Sequence, residues 1–83
     1  MTINNAIKQA KENYNWISGV HEPFSVAVGF TNRKGREDET CFDLWGDNPE
    51  KELTELWEGM TAEFDADVDS VTYVEAHAIG WEG

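Results

Sequence analysis

The segment from Asn48 to Phe64, NPEKELTELWEGMTAEF, limits the fold more than any other part of the chain. Asn48 is a good N-cap, and Pro49 fits the first helical position, where its missing N–H costs nothing. Leu53, Leu56, Trp57, Met60 and Phe64 then recur at the spacing of a single helix face. Glu50, Glu52, Glu55, Glu58 and Glu63 occupy much of the remaining circumference, so the predicted helix is apolar on one side and anionic on the other. Glu50 and Glu52 suit the positive end of the helix dipole, whereas Glu63 and Asp65 oppose its negative end by a few tenths of a kcal/mol each. Lys51 is the only cation within the segment, so few intrahelical ion pairs relieve the repulsion. Helix stability does not account for this acidity.

An apolar helix face needs a second layer to cover, and the remaining sequence supplies one. Thr2 caps a first predicted helix running to about Trp16, with Ile3, Ile7, Ala10, Tyr14 and Ile17 as its apolar seam and Lys8, Lys11 and Glu12 outward. Ser18-Gly19 is the expected stop and residues 20–23 the expected loop. Phe24, Val26, Val28 and Phe30 alternate with Ser25, Ala27 and Gly29 in a strand without a charge, which suits the middle of a sheet. Residues 31–36 form a hairpin connection in which Asn32 and Gly35 can take positive φ. A return strand over about 39–45 places Phe42 and Leu44 on one face and Cys41, Asp43 and Trp45 on the other. After Asp65-Ala-Asp-Val-Asp69, the stretch 71–81 is the longest expected strand. Val71, Tyr73, Glu75, His77, Ile79 and Trp81 there alternate with Thr72, Val74, Ala76 and Ala78, and both sets are partly apolar. The order is α-β-β-α-β. It predicts one α+β domain over residues 1–83, two-layered, with both helices on one face of a three-stranded, mainly antiparallel sheet of strand order 2-1-3.

The charge is divided unevenly. Residues 1–36 hold five cations and two acids, giving +3, and residues 37–83 hold one cation and fifteen acids, giving −14, for a net −11. Such a surface repels nucleic acid and anionic membranes and attracts basic proteins, so neither direct nucleic-acid binding nor membrane association is expected. Four Trp and four Phe argue for a folded core despite the charge. One cysteine excludes an internal disulfide, and the N-terminal stretch lacks the apolar run of a signal peptide; a cytoplasmic protein is expected.

Chemical motifs are scarce. Asp65-x-Asp67-x-Asp69 matches the start of a calcium loop, but Ser70 stands where the glycine belongs and Ala76 where the closing glutamate belongs. Cys41, His21 and His77 have no paired zinc spacing, and no local motif joins Cys41 to a histidine and Asp43 as a nucleophile, base and orienter. The expectation is a non-enzymatic chain with no metal and no cofactor. Two binding surfaces stand out instead. Glu50, Glu52, Glu55, Glu58, Glu63, Asp65, Asp67 and Asp69 make an acidic ridge whose carboxylate intervals of about 5–7 Å approach those of a phosphodiester backbone. Trp45, Tyr73, His77 and Trp81 make an aromatic sheet face if both helices cover the opposite side. Arg33-Lys34-Gly35-Arg36 reads as a solvated hairpin tip or as a basic finger reaching an acidic group.

In size, acidity and α-first order the chain resembles small inhibitors encoded by phages and mobile elements, including anti-CRISPR and other DNA-mimic proteins. The resemblance is carried by the eight acids of the ridge. It implies a non-catalytic inhibitor that docks a basic surface of a nucleic-acid-processing enzyme, with nucleic-acid mimicry as its sharpest form. The basic hairpin departs from a uniformly acidic mimic. The alternative is an interaction module or homodimer that uses the aromatic face, with acidity serving solubility.

Overall fold

A computed structural model describes residues 1–16, 24–45 and 48–78. Its elements are α1 (Ile3–Glu12), β1 (Phe24–Asn32), β2 (Glu37–Leu44), α2 (Pro49–Met60) and β3 (Ala66–Ala78). The strands form one antiparallel sheet of order β2-β1-β3, so the uncharged strand is central as expected. The fold is α+β, with the buried residues of both helices in one core with the sheet.

Trp57 is the centre of that core. It is fully buried, lies 5.4 Å from Phe30 and stacks on Phe64 at 6.1 Å, and Phe42 meets the edge of Phe64 at 5.8 Å. Its indole N–H donates to the Val68 carbonyl at 2.9 Å, so the one polar atom of this buried ring is satisfied. Leu53 is also fully buried, and Leu56, Met60 and Phe64 pack against the cluster from its rim. The apolar face read from the spacing is therefore the face that packs.

Several boundaries differ from expectation. α2 begins as predicted, with the Asn48 side chain accepting from the Lys51 N–H at 3.2 Å, but ends at Met60 instead of Phe64. A run of turns follows, and Asp65 takes a left-handed φ of 53° that redirects the chain into β3. Glu63 and Asp65 thus lie beyond the helix, and their predicted opposition to its dipole is reduced.

The first helix stops at Glu12 instead of Trp16. Asn15 donates to the Ala10 carbonyl at 2.7 Å and Tyr14 to that of Lys11 at 3.3 Å, the double closure of a Schellman cap. Tyr14 occupies the left-handed position at φ 59°, where glycine is usual, and stands 95% exposed instead of in the seam. The sequence signal at Ser18-Gly19 lies outside the described residues, as does Ile17. Closing early lets the Asn15 carbonyl accept from Ala76 of β3 at 2.8 Å, while Trp16 enters the core.

At the hairpin, Gly35 takes a φ of 78° as expected, but Asn32 does not have positive φ. Its side-chain oxygen instead accepts from the N–H groups of Lys34 and Arg36 at 3.0 and 3.1 Å.

β3 starts at Ala66 instead of Val71, so Asp67 and Asp69 belong to a strand. A bulge interrupts it: Gly29 pairs with Tyr73 and Phe30 with Val71, leaving Thr72 as an extra residue. Val71 therefore joins Val74 and Ala76 in the core, whereas strict alternation grouped it with Tyr73 and Glu75. Residues 79–83 of the expected strand, including Ile79 and Trp81, lie outside the described residues.

Candidate docking surfaces

The eight acids of the expected ridge fall into different environments. Glu50 forms an ion pair with Lys11 of α1, and a Glu52 carboxylate oxygen accepts the Trp45 N–H at 2.8 Å. Asp65 and Asp67 flank Arg33, at 3.8 and 3.6 Å. The Arg33 N–H also donates to the Asp65 carbonyl at 2.8 Å, which ties the hairpin tip to the turn before β3. The basic finger thus finds its acidic group within the same molecule. These pairs are exposed and worth about 0–1 kcal/mol each. Glu55, Glu58, Glu63 and Asp69 are exposed and make no ion pair among the described residues. The ridge is interrupted at Arg33, and its unpaired part is spread over the solvent side of α2 (Glu55, Glu58), the turn after it (Glu63) and β3 (Asp69).

The second surface is the sheet face that α1 and α2 leave uncovered. Because Val26, Val28, Phe30, Phe42 and Leu44 point into the core, their alternates point away from it. Cross-strand register then sets Asp43, Ser25 and His77 in one row, Cys41, Ala27 and Glu75 in the next, and Glu39, Gly29 and Tyr73 in a third. Small residues form the floor along β1, with carboxylates on both flanking strands.

Tyr73 crosses this floor. A Cβ on Gly29 would overlap the Tyr73 ring, coming within 2.6 Å of its Cζ, so only glycine lets the ring lie over β1. From there the phenol reaches β2 and donates to the Glu39 carboxylate. That hydrogen bond, with desolvation and the negative charges of Glu39 and Glu75, pushes the Tyr73 pKa up to about 12. The phenol therefore remains a neutral donor at physiological pH. A shallow hollow lined by Glu37, Asp38, Glu39, Thr72 and Tyr73 opens beside it.

Of the expected aromatic face, Tyr73 is on this uncovered side and 41% exposed, and Trp45, just past the end of β2, is 70% exposed. The register places His77 in the same alternation, but its side chain and all of Trp81 lie outside the described residues. The acids Glu37 and Glu39 were not singled out in the sequence, and Asp43 was weighed there only as an orienter beside Cys41, although the parity of all three opposite Phe42 and Leu44 was readable. Gly29 carried no signal on its own, since its role depends on a tyrosine forty-four positions away.

Cys41 is exposed on β2, and among the described residues no group of three or more His, Cys, Asp or Glu is arranged to hold a metal ion. His21 lies outside the described residues. No helix among them is long and apolar enough to cross a membrane. Comparison with protein-family models, with curated proteins and with solved structures gave no match, so a functional reading rests on these residues alone.

Proposed function

We propose that this chain is a non-catalytic acidic binding protein that docks a basic surface of a nucleic-acid-processing partner. The observation that carries the reading is the location of the unpaired carboxylates. Among the described residues, Glu55, Glu58, Glu63 and Asp69 stand exposed without a cation, while the ion pairs consume Glu50, Asp65 and Asp67. With a net charge of −11, such a surface speeds encounter with a basic groove by long-range attraction and rejects anionic competitors. A groove built to hold a phosphate backbone is a partner of matching chemistry, since carboxylates then stand where phosphates would lie.

A second reading, an interaction module using aromatic contacts, is favoured by Trp45, whose ring is largely exposed beside the same sheet face.

One experiment separates them. The immobilised protein captures partners at low and high salt, with added DNA or RNA as competitor, alongside two variants. The first, Glu55→Gln, Glu58→Gln, Glu63→Gln and Asp69→Asn together, removes no ion pair described above. Capture of a nucleic-acid-binding protein that is lost in this variant, weakened by salt and displaced by nucleic acid supports the acidic reading. Capture indifferent to all three refutes it, and loss in Trp45→Ala alone transfers the function to the aromatic contacts.

A further inference from the structure

The two outer edges of the sheet are treated differently. An exposed edge strand offers unpaired N–H and C=O groups to any extended chain, and folded proteins usually cover or blunt it. The edge of β3 is covered: Ala76 donates to the Asn15 carbonyl, and the Met1 amino group donates to the carbonyls of Asp69 and Val71 at 2.8 Å each. β2 is the other edge strand.

The direction of its backbone groups follows from the register. Asn32 donates to the Arg36 carbonyl, which makes Phe30–Asp38, Val28–Thr40 and Val26–Phe42 the pairs that bond to one another. Glu39, Cys41 and Asp43 therefore direct their N–H and C=O groups outward. The Glu39 N–H confirms the parity, since it is taken by the Asp38 side chain at 2.8 Å instead of by β1. Among the described residues, the outward N–H groups of Cys41 and Asp43 have no such cap.

We propose that the outer edge of β2 receives an extended cationic segment of the partner as a fourth strand. The inference rests on the acidic-docking reading above and names the surface and the kind of segment that would bind there. Charge complementarity selects the occupant. The residues with outward backbone groups, Glu39, Cys41 and Asp43, also lie on the uncovered face, and Glu37 shares their parity. Lysine or arginine at every second position of an added strand would stand opposite these carboxylates, and opposite charges across a strand pair attract. A second copy of β2 would set carboxylate against carboxylate, which disfavours self-pairing. Backbone hydrogen bonds supply affinity and the alternating charge supplies selectivity, as in other strand-addition interfaces.

The test uses the whole chain and a capped eight-residue peptide alternating lysine and threonine. Two versions of the peptide are N-methylated on alternate residues, one for each backbone edge, which keeps the charge and removes the ladder donors. The alternating peptide is expected to bind at low salt and to slow amide exchange at Cys41 and Asp43. One N-methylated version should lose about ten-fold or more in affinity, as expected for one or two ladder bonds, while the other binds like the parent. Equal binding by both versions, or unchanged exchange at Cys41 and Asp43, overturns the inference. So does protection of these amides without peptide in a concentration-dependent dimer, which would assign the edge to a second copy. Peptide contacts centred on Glu55, Glu58 and Glu63, or no peptide binding where partner capture succeeds, also overturn it but leave the proposed function standing. Loss of partner capture with the edge still binding peptide would have the opposite meaning.

Discussion

Gly29→Ala tests the geometry of the uncovered sheet face directly. The added methyl would come within 2.6 Å of Tyr73 Cζ and nearer still to two other ring carbons. Carbon atoms rest about 3.5–4.0 Å apart, so the ring must retreat by about 1 Å or more. A hydroxyl displaced that far no longer reaches Glu39 with good geometry. The variant loses a hydrogen bond worth about 0.5–1.5 kcal/mol and recovers about 0.5–1 kcal/mol by replacing a strand glycine. The net stability change is therefore small, within about 1 kcal/mol, and stability alone is a poor readout. The tyrosine pKa is the better one. In a Tyr14→Phe background Tyr73 is the only tyrosine, and ultraviolet titration should follow its phenol alone. The pKa should sit near 12 with Gly29 present and fall toward the ordinary phenol value of 10.0 in Gly29→Ala. Because the folded-state pKa is raised, the Tyr73–Glu39 bond contributes stability fully below about 10 and loses that contribution as pH rises toward about 12. Gly29→Ala should abolish the excess alkaline sensitivity in that window. A phenol that still titrates near 12 in the variant would refute both the ring position and its cause.

Other predictions concern the core and the first cap. Trp57→Phe keeps an aromatic ring but strands the Val68 carbonyl and leaves a void, so a loss of about 2–3 kcal/mol is expected in urea denaturation, and a loss below about 0.5 kcal/mol would contradict the role assigned to the indole. Tyr14→Gly should stabilise by roughly 0.5–1 kcal/mol, since relief of the left-handed strain exceeds the entropy cost of glycine; thermal unfolding should show a rise of a few degrees, and a fall would mean that the exposed ring makes an unrecognised contact.

The apolar stripe of α2, the two helix N-caps, the uncharged central strand and the strand order were legible in the sequence, because each follows from local periodicity or from a single residue's hydrogen-bonding chemistry. Asn48 and Thr2 both cap their helices through side-chain oxygens. The acidic composition was equally plain, and it alone suggested a basic partner.

Other features depended on groups far apart in the chain. Both alternating sets of β3 were partly apolar, and a single extra residue at Thr72 determined which side Val71 would face. The early end of α1 at a tyrosine answers the need of Ala76 for an acceptor. The acidic ridge was divided by Arg33, a residue some thirty positions from the aspartates it meets. Composition sets how much charge a chain carries and periodicity sets which faces are apolar, so both can be read locally. Which carboxylates remain unpaired, and which sheet edge is left open, are set by contacts between distant segments, and only the folded chain determines them.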